Sequence, residues 1–322
     1  METGLQTGVC AYIDLLGFSN HVKNDPEAAL QLLQNYQVIL TMASSDLPTH
    51  ESLIPYHQDS FKYFIPFSDS VFIYSESPKT FAEQLSNFLH SCFSFTSNQY
   101  CEPEDANHPH RVTVTAVEIE DGKPVTKKYV ENWHPLFFRG GIGFGTVKVI
   151  ELNAVYDGKK SRAPVVFGHS VVEAVKLEQA GVKGPRLLCG QNFYDQLDNR
   201  TKRIAHASDQ VKGAYEINWT AIHYLASEEP IFFPEDPNAS QWFVDQLLQN
   251  DFYSSMLVPA ANMWKAYNHL DVAAHYFNFL RMVVVGVIRF FEESPFQDYV
   301  KEQVIDYLTK VGIDNKADDL MR

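Results

Sequence analysis

From Val9 to Leu16 the chain reads Val-Cys-Ala-Tyr-Ile-Asp-Leu-Leu and stops at Gly17. Such a short apolar run predicts a strand buried on both faces, interrupted by one acid, Asp14. Asp25-Pro26-Glu27 then supplies an N-cap with proline at the first helical position. Leu30, Leu33, Tyr36 and Leu40 follow at helical spacing, which predicts an amphipathic helix. Phe61 to Tyr74 is aromatic and apolar around Pro66 and Ser68-Asp69-Ser70, the pattern of two strands meeting at a tight turn with Asp69 at its tip. Ser77-Pro78 opens a second helix, with Phe81, Leu85, Phe88, Leu89 and Cys92 on one stripe.

Alternation over Val112–Ile119 and again over Val125–Val130, separated by Asp121-Gly122, predicts an inserted hairpin near residues 110–131. The stretch 137–150 reads as a strand whose glycines let a backbone or a ligand approach closely. Val165–Phe167 and residues 185–189 are further strand candidates, and Gly168-His169-Ser170 leads into a helix. Beyond about Ser240 the spacing turns helical, through 242–248, 263–290 and 296–311. The prolines at 230, 234 and 237 mark a boundary between a front domain, residues 1–230, and a helical extension, residues 231–322.

Composition narrows the classes of function. With 322 residues, 45% hydrophobic and 20% charged, the chain is neither disordered nor filamentous. A net charge of −14 disfavours nucleic acid and anionic membrane as partners. The longest apolar run, Met282–Ile288, is too short to span a bilayer, and the polar first residues carry no signal peptide. Cys10, Cys92, Cys101 and Cys189 form no C-x-x-C pair, so no disulfide framework or thiolate zinc site is expected, and the expected location is the reducing cytoplasm.

An acid inside an apolar strand costs several kcal/mol to bury as an ion unless it is paired, hydrogen-bonded or bound to metal. If the strands bearing Asp14 and Asp69 are neighbours, their carboxylates converge. At about 4 Å and an effective dielectric near 20 they repel by roughly 4 kcal/mol, which a divalent cation removes. Two metals about 3.5–4 Å apart would prepare an in-line phosphoryl displacement. The alternative is that each aspartate caps its own turn. Amides of the Leu16-Gly17-Phe18-Ser19 corner, three residues past Asp14, are candidate phosphate donors. Arg139, at the start of the glycine-rich strand, is a candidate cation for the phosphates or a structural ion pair. Tyr63 with Asp59, upstream of Asp69, are candidates for reading a base, although a tyrosine in so aromatic a segment more often packs in the core. His169 has no second histidine at ligand spacing and reads as a helix-start residue.

These residues carry a resemblance. Ile13-Asp14-Leu15-Leu16-Gly17-Phe18-Ser19 resembles the first metal-binding motif of class III nucleotidyl cyclases, and Phe67-Ser68-Asp69-Ser70 is similar to their second. Residues 139–145 (RGGIGFG) resemble their next core strand, and residues 167–178 (FGHSVVEAVKLE) the helix bearing their transition-state residues. The motifs occur in family order over roughly residues 8–190. The resemblance implies an α/β (α+β) domain with a mainly antiparallel central sheet flanked by helices. It also implies two divalent ions, Mn²⁺ or Mg²⁺, held by Asp14, Asp69 and the Leu15 carbonyl, with Gly17, Phe18 and Ser19 on the phosphates.

Adenylyl and guanylyl cyclases choose their purine with polar residues four before the second metal aspartate and three before the glycine of the helix motif. Here those positions are Ile65 and Val165, which leave a purine edge unpaired. The family's transition-state Asn and Arg fall on Val172 and Lys176, and Thr146 takes another phosphate-contact position. The chain looks most like the pyrimidine cyclases of the bacterial Pycsar antiphage system. That likeness implies UTP, or CTP, as substrate, a homodimer with active sites across its interface, and a separate effector protein that senses the cyclic product. Two other readings stay open: a nucleotide-binding module without turnover, and a C-terminal region that docks a partner through Trp242, Trp264 and Tyr267.

Overall fold

The strand expected at 9–16 forms as β1 (Gln6–Leu15) in the computed structural model, which describes residues 4–43, 60–67, 69–156, 158–232 and 236–321. Two helices follow, α1 (Phe18–Asn24) and α2 (Pro26–Ala43), and then the hairpin β2 (Tyr63–Phe67) and β3 (Ser70–Ser75). Helix α3 (Pro78–Ser97) leads to a second hairpin, β4 (Arg111–Glu120) and β5 (Lys123–Asn132), paired only with itself among the described residues. Asp121 and Gly122 both take positive φ, 50° and 75°, the two-residue turn that Asp-Gly favours. The long strand β6 (Phe138–Tyr156) returns as β7 (Lys159–Gly168), followed by α4 (His169–Glu178), β8 (Leu187–Gly190) and α5 (Gln191–Tyr194). Short strands β9 (Ala205–Ala207) and β10 (Ala214–Ile217), which sequence pattern did not predict, complete the sheet.

Among the described residues eight strands join in the order β2-β3-β1-β6-β8-β10-β9, with β7 paired to the far half of β6. Every pairing is antiparallel except that of β6 with β8. The first four sheet positions are those of a split β-α-β unit, in which the β2–β3 hairpin and β6 flank β1. Alternation decides what each face meets. Val9, Ala11, Ile13 and Leu15, at most 2% exposed, face Phe81, Leu85 and Phe88 of α3.

On the other face α4 covers only part of β1. Its close approach depends on Gly141 and Gly143, where a Cβ would lie 2.1 Å from the carbonyl oxygens of Ala174 and Ser170. The glycines of the 137–150 stretch therefore admit a neighbouring backbone. Cys10, opposite Gly143, is buried on both sides as expected. Asp14, four residues on and past the end of this cover, stays partly open.

After β10 come α6 (Ile222–Ala226), α7 (Glu228–Phe232), α8 (Pro237–Gln246), a π-helical stretch over Leu247–Leu257, and α9 (Val258–Tyr267). Then follow α10 (Ala273–Phe290), α11 (Gln297–Lys310) and α12 (Ala317–Leu320). The helix expected over 263–290 is two helices, because the chain turns between Tyr267 and Ala273. Residues on both sides of position 230 share one core. Phe279 of α10, fully buried, lies with its ring 4.9 Å from Phe93, 4.6 Å from Phe137 and 5.9 Å from Trp219. Phe279→Ala should cost about 3–5 kcal/mol, and thermal unfolding should show one transition moving down, with no separate melt of the C-terminal helices.

Helix α10 is long and apolar enough to cross a membrane by length and composition, and half of it is buried inside the protein, as in a core helix. Cys10, Cys92, Cys101 and Cys189 are all free thiols.

Candidate active site

Register brings the first aspartate to its neighbours. Asp14 lies opposite Ser70 on β3 and opposite Arg139 on β6. The Tyr12 hydroxyl donates to Ser70 Oγ at 2.9 Å, and Ser70 in turn donates to Asp14 Oδ1 at 2.8 Å. Arg139 Nη2 reaches Asp14 Oδ2 at 3.5 Å, while its Nε donates to Glu178 Oε1 at 2.7 Å. Glu178 closes α4, so the helix that the glycines admit ends with a buried carboxylate beside the strand aspartate. Asp69 comes next to both because the β2–β3 turn is pinned by the Leu15 N–H, which donates to the Asp69 carbonyl at 3.0 Å.

Burial raises the Asp14 carboxyl above its usual range; the Ser70 bond and Arg139 oppose this, and the Asp69 charge adds to it. Glu178 is raised for the same first reason, with Arg139 lowering it and Asp14 and Asp69 raising it further. Asp14 and Glu178 thus share one guanidinium, and the Asp69 charge acts on both carboxylates. Hard oxygen donors with unneutralised charge fit Mg²⁺ or Mn²⁺, which bind through one or two carboxylates and take their remaining ligands from substrate phosphates and water. Among the described residues no three His, Cys, Asp or Glu side chains form a metal cluster by themselves, so the protein would hold an ion only through Asp14 and Asp69, with the Leu15 carbonyl.

Both aspartates line a cavity of about 540 Å³, the size of a small-molecule site. Leu15, Gly17, Phe18 and Ser19 border it at the same end, where Gly17 turns the chain with φ 81° into α1. Arg139 also lines it, in contact with the carboxylates.

Other sequence candidates lie elsewhere in the single chain. Asp59 falls outside the described residues. Tyr63 and Ile65 pair with Tyr74 and Phe72, which share Asp14's face of the sheet, but they sit on the edge strand and do not border the cavity. Val165, 38% exposed, pairs with Ile150 on the β6–β7 arm, away from the aspartates. Lys176 is exposed on α4 and outside the cavity, since the face of α4 against the sheet carries Ser170, Ala174 and Glu178. Trp242 is exposed, Trp264 meets Phe277 edge-to-face, and Tyr267 borders the cavity.

Sequence reasoning missed Glu178 and four histidines of the cavity wall, His21, His110, His134 and His275. His134 lies with its ring 4.2 Å from His21 and 4.9 Å from His110. The signal was in the hairpin: a turn at Asp121-Gly122 returns the chain so that Trp133 N–H donates to the His110 carbonyl, and His134 is one residue further.

Burial lowers the pKa of each of these imidazoles, that of His134 to about 3, and that of His206 on β9 to about 4. An imidazole lowered on folding is protonated first in the unfolded chain, so stability is full above about pH 6.5 and is lost as pH falls toward 3–4. Denaturation midpoints at pH 7.5 and 5.0 should differ, each such histidine contributing at most about 1.4 kcal/mol per pH unit below 6.5.

No family model and no curated protein matches this chain. Among solved structures, a class III adenylyl cyclase-like ATP-binding protein from Pseudomonas aeruginosa is similar over 62% of the chain at 18% identity, with a TM-score of 0.30. The chain spans 36% of that protein. At that identity and score the likeness adds nothing to the geometry, which stands as that of a mixed α/β protein with a central, mostly antiparallel sheet and two carboxylates, one on a strand and one in a turn, lining one cavity.

Proposed function

We propose that the chain is a nucleotidyl cyclase that converts a pyrimidine nucleoside triphosphate, UTP before CTP, to its 3′,5′-cyclic monophosphate and pyrophosphate. The observation that carries this reading is the meeting of Asp14 and Asp69 in one cavity beside the Gly17 corner. In the reaction the ribose 3′-oxygen bonds to the α-phosphorus as the bond to the pyrophosphate oxygen breaks. The 3′-hydroxyl proton passes to a cavity carboxylate. Divalent ions, when bound, would make the 3′-hydroxyl more acidic and offset the triphosphate charge. Asp14 and Asp69 would hold those ions, Ser70 fixing the rotamer of Asp14, and the Gly17–Ser19 amides would receive phosphate oxygens. Arg139 is the cation in contact with both Asp14 and Glu178, and a metal-bound Asp14 would release its guanidinium toward phosphate.

The resembled pyrimidine cyclases suggest a homodimer and an effector that senses the product in antiphage defence. Tyr63, Val165, Phe167 and Val172 are at least 36% exposed, apolar material for a second copy to cover, and Lys176 would act from that interface. The exposure of Lys176 outside the cavity favours a second reading, a module that binds nucleotide without turnover. Incubation with α-labelled UTP, CTP, ATP and GTP and Mn²⁺ separates them. A cyclic pyrimidine product supports the enzyme, retained nucleotide without product supports the module, and neither product nor binding removes both.

A further inference from the structure

Beyond the aspartates, the cavity has a wall that the proposed chemistry leaves unused. His110 stands at the root of the β4–β5 hairpin and His275 on α10, and both border the cavity. Each has one ring nitrogen already engaged. The Gly184 N–H donates to His275 Nδ1 at 3.1 Å, so the neutral ring carries its proton on Nε2. The Tyr267 hydroxyl lies 2.9 Å from His110 Nδ1, and the neighbouring Tyr100 hydroxyl donates to the Trp133 carbonyl at 3.4 Å. With the Tyr267 proton given to His110 Nδ1, the His110 ring, like that of His275, offers an Nε2–H. Beside His110 the His134 ring is stacked at an interplanar angle of 16°.

The surroundings suit a flat, uncharged group better than a phosphate tail. Phe18, Phe137, Leu270 and Val272 supply apolar lining. With the pKa of His134 at about 3, protonating it at pH 7 to meet an anion is disfavoured roughly ten-thousand-fold. Asp25, whose charge acts on His21, His110 and His134, also opposes a polyanion there; Arg111 and His108 act on His110 in the other sense.

We propose that His110 and His275 read the nucleobase within the single chain, giving their Nε2–H groups to the two carbonyl oxygens of uracil, with the His134 ring as a stacking surface and Tyr267 as the positioning residue for His110. This rests on the nucleotide reading above and replaces Tyr63, Ile65 and Val165 as the base readers. It sets a preference. Uracil presents acceptors on either side of N3, whereas cytosine carries an amino donor in place of O4, and that donor would face an N–H. The C-terminal helices are then part of the substrate site.

The test measures binding of 3′-deoxy-UTP, 3′-deoxy-CTP and inorganic triphosphate to the full-length protein in Mn²⁺ by calorimetry, the missing 3′-hydroxyl preventing turnover. Wild type should favour the uridine nucleotide, and His110→Phe or His275→Phe should each weaken it about tenfold, bring the uridine-to-cytidine ratio toward one and leave inorganic triphosphate unchanged. Tyr267→Phe, which removes one hydroxyl, should shift the ratio in the same direction should a histidine variant fail to fold. An unchanged ratio in these variants overturns the assignment while the nucleotide reading stands. Parallel loss of inorganic triphosphate would place the tail at the histidines and also overturn it. Failure of wild type to bind any nucleotide removes the nucleotide reading itself.

Discussion

Replacing Asp14 by asparagine should lower cyclisation of UTP by at least about a thousand-fold, because the loss falls on charge that a cation and the transition state both need. The shape of the side chain is kept, and the Ser70 hydroxyl can still donate to the remaining oxygen. Burial and the Asp69 charge hold the Asp14 carboxyl above its usual range, so ionised Asp14 is a cost to the metal-free fold at neutral pH. The variant's Tm without divalent ions should accordingly be no lower than that of wild type. Turnover retained within tenfold of wild type would rule out Asp14 as a holder of the reacting phosphate's counter-charge. An inactive variant whose Tm had also collapsed would mean instead that Asp14 is structural. Product from single-turnover mixtures, together with a thermal melt, measures both.

The second large effect should come from residues with no chemistry at all. Gly143→Ala and Gly141→Ala each place a methyl group 2.1 Å from a backbone carbonyl oxygen of α4, with no flexible side-chain end that can move aside. Each should destabilise the fold by about 3 kcal/mol, a Tm lower by roughly 4–5 °C, and should displace Glu178 from Arg139. Gly17→Ala meets no neighbour and pays only for its positive φ, so it should cost about 1 kcal/mol. Equal melts for all three variants would mean that α4 is free to shift.

Why these features were or were not legible in the sequence follows from their range. Asp14, Asp69, Gly17 and Arg139 were readable because each breaks a local pattern: an acid in an apolar strand, a tip between two strands, or a cation opening a glycine run. Their convergence needed only that two strands be neighbours. The Asp-Gly hairpin and the Pro-led helices were likewise local signals. Glu178 looked like an ordinary acid at the end of an amphipathic helix; only the close approach across Gly141 turns it toward Arg139. Motif position points to Lys176, but the helix rotates that position away from the sheet. The histidine wall joins α1, the hairpin root and α10, elements more than 250 residues apart in the case of His21 and His275, and no periodicity links such distances. The short strands β9 and β10 offered three and four residues of pattern, too few to stand out from loop.

The shared core around Phe279 also dictates when the protein becomes competent during its own synthesis. Asp14 leaves the ribosome early, yet the cavity lacks one side until α10 emerges more than 250 residues later. A nascent chain stalled or cleaved before that point holds the carboxylates without the chamber around them. Incomplete copies should therefore fail to bind whatever the completed chamber accepts.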